Sequence, residues 1–199
     1  INGIINYSRT FKIRKFDFIK TIKNKIKCDC SIINDANAGA LGIKWFNTFK
    51  DLPKHLVYLN YNQYAKNLGA GLIINKQLYY GISGNAGEIL HNIPTIYDIY
   101  NSLISKFEDS KEISHLFNNE SIDLEKLYQK YSSGNTTAYE IFKTISDLIA
   151  EEIIQIISFI NPGAIIIGGD LNGLNAKKWL FLALPIRLLG KCWTSHRIN

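Results

Sequence analysis

Asn34-Asp35-Ala36-Asn37 puts an amide, a carboxylate and a second amide side by side, between the apolar run Ser31-Ile32-Ile33 and an Ala- and Leu-rich stretch. A strand that stops at Asn34 and a helix that starts there would place Asp35 at a strand's carboxyl end, where α/β proteins bind ligands. A carboxylate in that place can take the proton of a ligand hydroxyl as general base, while Asn34 hydrogen-bonds a neighbouring hydroxyl. The plainer reading stays open beside it. Asp and Asn are favoured helix caps, and a carboxylate suits the positive end of the helix dipole.

Two further segments have the right composition for a site. Gly81-Ile82-Ser83-Gly84-Asn85-Ala86-Gly87-Glu88-Ile89-Leu90-His91 carries three glycines that let the backbone turn sharply beside a small ligand. Glu88 and His91 are three positions apart, so a helical turn would put them on one face, where they could hold vicinal hydroxyls. A glycine-rich turn with a solvated acid explains the same letters. Asn67-Leu68-Gly69-Ala70-Gly71 reads as a β-turn-β loop that could aim amide N–H groups at phosphate oxygens, or as an ordinary hairpin turn.

The surrounding pattern supplies elements to hold these segments. Phe16, Ile19, Ile22 and Ile26 are spaced for an amphipathic helix over 16–27. Residues 31–33 form a strand candidate and 36–49 a helix, with Pro53 marking a break. Strands follow at 55–59 and 72–74, and Asn75-Lys76 before Leu78 suggests a tight hairpin. Beyond Pro94 the pattern turns helical, over about 95–107, 111–118, 122–131 and 136–160. Asn161-Pro162-Gly163 ends the last helix, and Ala164-Ile165-Ile166-Ile167 forms a β-branched strand running into Gly168-Gly169. Paired glycines after a strand allow close approach of a ligand to the backbone. Alternation of strands and helices predicts an α/β domain.

Composition excludes several classes. At 199 residues with 46% hydrophobic and 20% charged side chains, the chain can bury a core and lacks the signature of disorder. Cys28, Cys30 and Cys192 form no disulfide framework, which fits a reducing, cytoplasmic setting. Cys28-Asp29-Cys30 offers two thiolates, but no second pair closes a tetrahedral metal site, so no metal is expected. No apolar run reaches membrane-spanning length. The net charge of +6 comes largely from Lys12, Arg14, Lys15, Lys20, Lys23, Lys25 and Lys27. No nucleic-acid motif accompanies them, so a solvated face is expected rather than a direct nucleic-acid contact. The chain lacks an initiator Met, and a preceding segment is expected ahead of Ile1.

Taken in order, NDANAGAL, LGAGLIINKQLYYG, SGNAGEILH and INPGAIIIGG resemble the ROK family of repressors and sugar kinases, over about Gly3 to Leu171. The resemblance implies an actin-like ATPase (ribonuclease H-like) fold with a sugar in the cleft between two α/β lobes. Residues 1–50 would then be the end of the small lobe with a hinge helix, and 51–199 the large lobe. Asp35 falls where kinase members keep the catalytic base. Asn34, Asp35, Gly84, Asn85, Glu88 and His91 fall at the sugar site. Gly69 and Gly71 fall in the loop that wraps nucleotide phosphates, and Gly168 and Gly169 on the nucleotide side of the cleft. The resemblance also allows a homodimer.

The chain departs from the family in three places. No DxGGT-type phosphate loop is present. Residues 60–66 (NYNQYAK) and Asn67 are longer and bulkier than the short Thr-Gly-like step of the second phosphate loop. His91 lacks the CxCGxxGC cluster that completes the family's zinc site, so no zinc is expected. The tail ALPIRLLGKCWTSHRIN matches nothing in the family. The expected function is therefore the sugar-binding effector domain of a sugar-responsive transcriptional regulator, needing no cofactor and reaching DNA only through a domain preceding Ile1. The alternatives are an ATP-dependent hexose kinase of the glucokinase type using Mg-ATP, or an inactive fragment.

Overall fold

A computed structural model of the chain describes residues 3–8, 12–23, 25–26, 28–46, 52–62, 66–91, 93–118 and 121–169. At the N-terminal end, β1 (Ile4–Ser8) and β2 (Ile13–Asp17) form an antiparallel hairpin, followed by the short helix α1 (Phe18–Lys23). The amphipathic spacing at 16–27 is thus only partly helical. Phe16 pairs with Ile5 in the β1–β2 ladder, and the Asp17 carboxylate accepts the Lys20 N–H at 2.9 Å, so the helix starts after Asp17. Ser31–Ile33, expected as a strand, pairs with no strand among the described residues.

The centre is a five-stranded sheet. β3 (Leu56–Asn62) lies between β4 (Asn67–Ile74), antiparallel to it, and β9 (Ala164–Gly169), parallel to it. β5 (Gln77–Tyr79) and β6 (Glu88–His91) both pair antiparallel with β4, one at each end. β5 follows a two-residue turn in which Asn75 and Lys76 have φ of 52° and 62°. Two successive left-handed residues are what a type I′ hairpin requires.

The expected site segments need two corrections. The 67–71 segment is not a turn between strands. It is the first half of β4, with Asn67 facing Asn62 and Gly71 facing Tyr58 in the β3–β4 register. Glu88 and His91 do not share a helical face, because both lie in strand β6 rather than on a helical turn. Pairing with β4 decides this, and no local signal in 81–91 competes with it.

Helices cover both sheet faces. α2 (Asp35–Trp45) packs on the side of Leu56, Ile73 and Tyr58, with Ala40 wholly buried against them. The opposite side carries α3 (Ile96–Leu103), α4 (Ser110–Ile113) with a 3-10 turn at Ser114–Leu116, α5 (Leu124–Ser132) and α6 (Thr136–Ile160). A minimal hairpin, β7 (Phe117–Asn118) with β8 (Ser121–Ile122), joins α4 to α5. Ile141, Ile145, Ile149, Ile153 and Ile156 recur at three- and four-residue steps along α6, so one stripe faces Val57, Leu59, Leu68 and Ala70. Fully buried side chains such as Phe142 and Ile145 each contribute about 1.5–3 kcal/mol by leaving water. Asn135 caps the start of α6 through the Ala138 N–H, and left-handed Asn161 (φ 47°) ends it.

Residues 170–199, with Cys192 and the unmatched tail, lie outside the described residues, as does Lys27. Among the described residues, no helix is long and apolar enough to cross a membrane.

Candidate functional site

The amino end of α2 meets the sheet at the carboxyl ends of the parallel strands β3 and β9. Asn34 has extended backbone angles (φ −60°, ψ 147°) and is the helix cap, its Oδ1 accepting the N–H groups of Ala36 at 2.9 Å and Asn37 at 3.3 Å. The capping expectation therefore holds, with Asn34 as the cap and Asp35 as the first helical residue. Asp35 Oδ1 accepts the Ala36 N–H at 2.9 Å, and Oδ2 accepts a hydrogen bond from Asn60 Nδ2 at 2.8 Å. Asp35 is exposed, so its carboxylate remains reachable from solvent.

Strand register extends this contact into a row across the sheet. Glu88 of β6 pairs with Gly69 of β4, Gly69 with Asn60 of β3, and Asn60 with Gly168 of β9. The row brings together Asp35, Glu88, Gly69 and Gly168, all expected from the sequence. Sequence reasoning misses Asn60, which lies inside the 60–66 stretch and reads there only as part of a bulky loop. The signal is the alternation Leu56, Tyr58, Asn60, which carries one face of β3 from the apolar layer under α2 to a polar end.

The glycines divide by what a side chain there would strike. At Gly71 a Cβ would overlap the Ala36 carbonyl, at Gly168 the Tyr58 hydroxyl, and at Gly169 (φ 75°) the Tyr61 carbonyl. The protein's own packing accounts for these three. At Gly69 a Cβ would meet only the Ala36 Cβ at 3.6 Å, an ordinary contact. A methyl group at Gly69 would therefore fit against Ala36 without a clash, so packing alone does not account for this glycine.

The 81–87 loop stands over the same end of the sheet. Gly81, Gly84 and Gly87 have φ of 69°, 82° and 93°, so all three adopt the conformation glycine tolerates. Gly87 presses against the Ala70 carbonyl, and its own carbonyl accepts the Ala70 N–H at 2.7 Å. Gly84 faces open space, and the Asn85 carbonyl accepts the Glu88 N–H at 3.3 Å. Glu88 is exposed, and His91 is placed by its backbone pairing with Asn67.

The start of β4 is strapped to α3. Lys66, left-handed at φ 53°, extends its ammonium to Asp98 Oδ2 at 2.9 Å, and the Ile93 N–H donates to the Lys66 carbonyl. Asp98 also forms a reciprocal capping box with Thr95. The Lys66 hydrogen bond, followed by those from Thr95, holds the Asp98 carboxyl down to about 2. At the remaining metal candidate, Cys28 and Cys30 bring their Sγ atoms to 3.8 Å. Desolvation and then the neighbouring Cys28 push the Cys30 thiol up, away from the thiolate form that binds metals. Among the described residues no three His, Cys, Asp or Glu side chains gather as a metal site.

The row sets the Asp35 carboxylate at a helix amino terminus and Glu88 two strands from Asn60, beside a loop of three left-handed glycines. The profile of the ROK family matches residues 1–177. Among curated relatives, the xylose repressor of Lactiplantibacillus pentosus is 24% identical over 181 residues, covering 86% of this chain and 46% of that protein. The N-acetyl-D-glucosamine kinase of Pasteurella multocida is 24% identical over 213 residues, covering 95% of this chain and 68% of that protein. The chain thus spans less than half the length of the xylose repressors it matches. Among solved structures, a ROK family glucokinase from Streptomyces griseus with glucose and AMPPNP superposes with a TM-score of 0.78 at 16% identity, covering 98% of this chain and 70% of that one. A ROK family transcriptional regulator, a homologue of the E. coli MLC protein, gives a TM-score of 0.71 at 18% identity, covering 96% and 52%. These likenesses establish the fold as the actin-like ATPase fold.

Proposed function

The chain belongs to the ROK family, and from that premise we propose that it is the sugar-binding effector portion of a sugar-responsive transcriptional regulator. In this reading Asn34, Asp35, Gly84, Asn85, Glu88 and His91 surround the sugar, and operator contacts belong to a segment outside this chain. Asp35 serves as a hydrogen-bond acceptor for a sugar hydroxyl. Bound sugar stabilises one arrangement of the lobes over another and so shifts operator affinity.

The observation that carries this reading is the Lys66–Asp98 strap. Where the family resemblance puts the second phosphate loop, this chain has a lysine and an asparagine, and the lysine's ammonium is already paired with Asp98. Phosphoryl transfer depends almost wholly on positioned charge around the phosphates. The exposed pair supports the regulator reading only together with the longer, bulkier 60–67 stretch that stands where the family has its short glycine step.

A second reading is favoured by the kinase relative and by the glucokinase superposition, each covering most of this chain. Asp35 would then act as general base toward a sugar hydroxyl, with Mg-ATP as donor near Gly69, Gly71, Gly168 and Gly169. Calorimetry with D-xylose, D-glucose and N-acetyl-D-glucosamine, run beside an ADP-release assay, separates the two. The regulator reading expects one sugar to bind, binding to vanish on Asp35→Ala, and no ADP release. Turnover that Asp35→Asn abolishes would establish the kinase instead. Binding of none of the three sugars would leave the inactive fragment.

A further inference from the structure

Asn60 occupies a place where a strand residue has little reason to be an amide. The face of β3 that carries it also holds Leu56 and Tyr58, packed under α2, and ends at Asn62, and Asn is disfavoured in strands. A half-buried amide is costly unless its groups are bonded, and Asn60 directs its donor to Asp35 Oδ2 at 2.8 Å. The orientation of the amide follows from chemistry. An ionised carboxylate only accepts, so the Asn60 nitrogen must face Asp35 and its oxygen must face the other way. That oxygen lies beside Gly169, where a Cβ would come within 2.5 Å of it. Capping does not explain the contact, since Asn34 and Asp35 already satisfy the first N–H groups of α2 without it. Glycines flank Asn60 in the register on both sides, Gly69 and Gly168, so no neighbouring side chain in the row crowds the amide.

We infer that Asn60 is a positioning residue for the sugar site. Its amide nitrogen holds the Asp35 carboxylate in the orientation that accepts a sugar hydroxyl, while its oxygen faces the Gly169 end of β9. Asp35 sits at the first position of a helix, exposed, and would otherwise turn freely about its side-chain bonds. With Oδ1 held by the Ala36 N–H and Oδ2 by Asn60, its carboxylate plane is fixed by two donors while the residue stays exposed. Preorganisation of this kind raises affinity by removing an ordering cost at the moment of binding.

The inference rests on the sugar-binding reading, and a double-mutant cycle tests the two separately. The full chain carrying Asn60→Ala, Asp35→Asn or both is titrated with whichever of D-xylose, D-glucose or N-acetyl-D-glucosamine the unaltered chain binds. Asn60→Thr, a strand-favouring residue too short to reach Asp35, guards against a folding defect, and thermal melts accompany every variant. The expected result is a loss of about tenfold in affinity on Asn60→Ala, about 1.4 kcal/mol, that disappears in the Asp35→Asn background. An equal loss in both backgrounds, or none in either, overturns the role of Asn60 and leaves the sugar site standing. No binding by the unaltered chain removes both. Should Asp35→Asn bind too weakly to close the cycle, the side-chain amide resonances of Asn60 decide. Displacement by saturating sugar supports the inference, and unmoved resonances overturn it.

Discussion

Gly71 of β4 lies directly against the Ala36 carbonyl of α2, leaving no room for a methyl group between strand and helix. A side chain at 71 would lift the amino end of α2, and with it Asp35, off the sheet. Gly71→Ala is therefore expected to destabilise the chain by about 1–3 kcal/mol, as overpacking does. In a chain of this size each kcal/mol lowers Tm by roughly 2–4 °C. Gly42→Ala is the control. It lies in the same helix with nothing within 4 Å of the added carbon, so it should raise stability by ~0.5–1 kcal/mol. Paired thermal melts check the contrast.

Gly87 and Gly84 should behave differently although both are left-handed. A Cβ on Gly87 would overlap the Ala70 carbonyl, whereas Gly84 faces open space. Gly84→Ala pays only for the backbone conformation, about 1–2 kcal/mol. Gly87→Ala adds a steric clash that breaks the Gly87–Ala70 hydrogen bond, and should cost clearly more. Denaturant midpoints for the two variants rank them.

The Lys66–Asp98 strap predicts a pH dependence. Asp98 is held down to about 2 in the folded chain, below its unfolded value near 3.8. A depressed carboxylate contributes stability that is complete above the unfolded value and disappears as pH falls through about 2. Asp98→Asn should therefore lower Tm at pH 6, with the difference shrinking below about pH 4 and closing only as pH falls past about 2. Both partners are substantially exposed, so solvent screening limits the effect to below about 1 kcal/mol. Melting curves of the two proteins across that range test the convergence.

Asp109 joins the loop before α4 to the start of α6. Its carboxylate accepts the Thr137 N–H at 3.2 Å and the Thr137 hydroxyl at 2.6 Å, and also accepts the Thr136 N–H. Burial pulls the Asp109 carboxyl upward, but the hydrogen bonds from Thr137 and Thr136 outweigh it and bring it down. Asp109→Ala leaves those helix-start donors without their partner, and should cost about 1–2 kcal/mol. Asp109→Asn keeps one acceptor oxygen and should recover part of the loss. Helical signal in thermal unfolding gives both values.

Legibility in the sequence follows the range of the deciding interaction. Helix α6 can be read because Asn135, the isoleucine stripe and Asn161-Pro162-Gly163 are local signals of start, face and stop. The Asn75-Lys76 turn is legible for the same reason, since its two left-handed residues are adjacent. Glu88–His91 is not, because pairing with Asn67–Gly69 makes it a strand, and no residue within 81–91 announces that partner. Phe16 fits a helix by spacing and a strand by its pairing with Ile5. Asp35 is legible from its position at a helix start. Asn60 is not, because its meaning depends on a contact between residues 25 positions apart.

The parallel pairing of β3 with β9 has a consequence for how the chain is made. Leu56 pairs with Ala164, and every helix from α3 to α6 is synthesised between them. During synthesis β3 can form its hairpin with β4 at once, but its other edge stays unpaired until β9 emerges. Contacts of such long sequence separation slow folding. An unpaired strand edge is also a template for wrong partners. Gly168 and Gly169, which complete the row beside Asn60, arrive last. The row across β6, β4, β3 and β9 is therefore complete only once β9 is made, and a chain stopped short of it carries Asp35 and Asn60 without the strand that completes their setting.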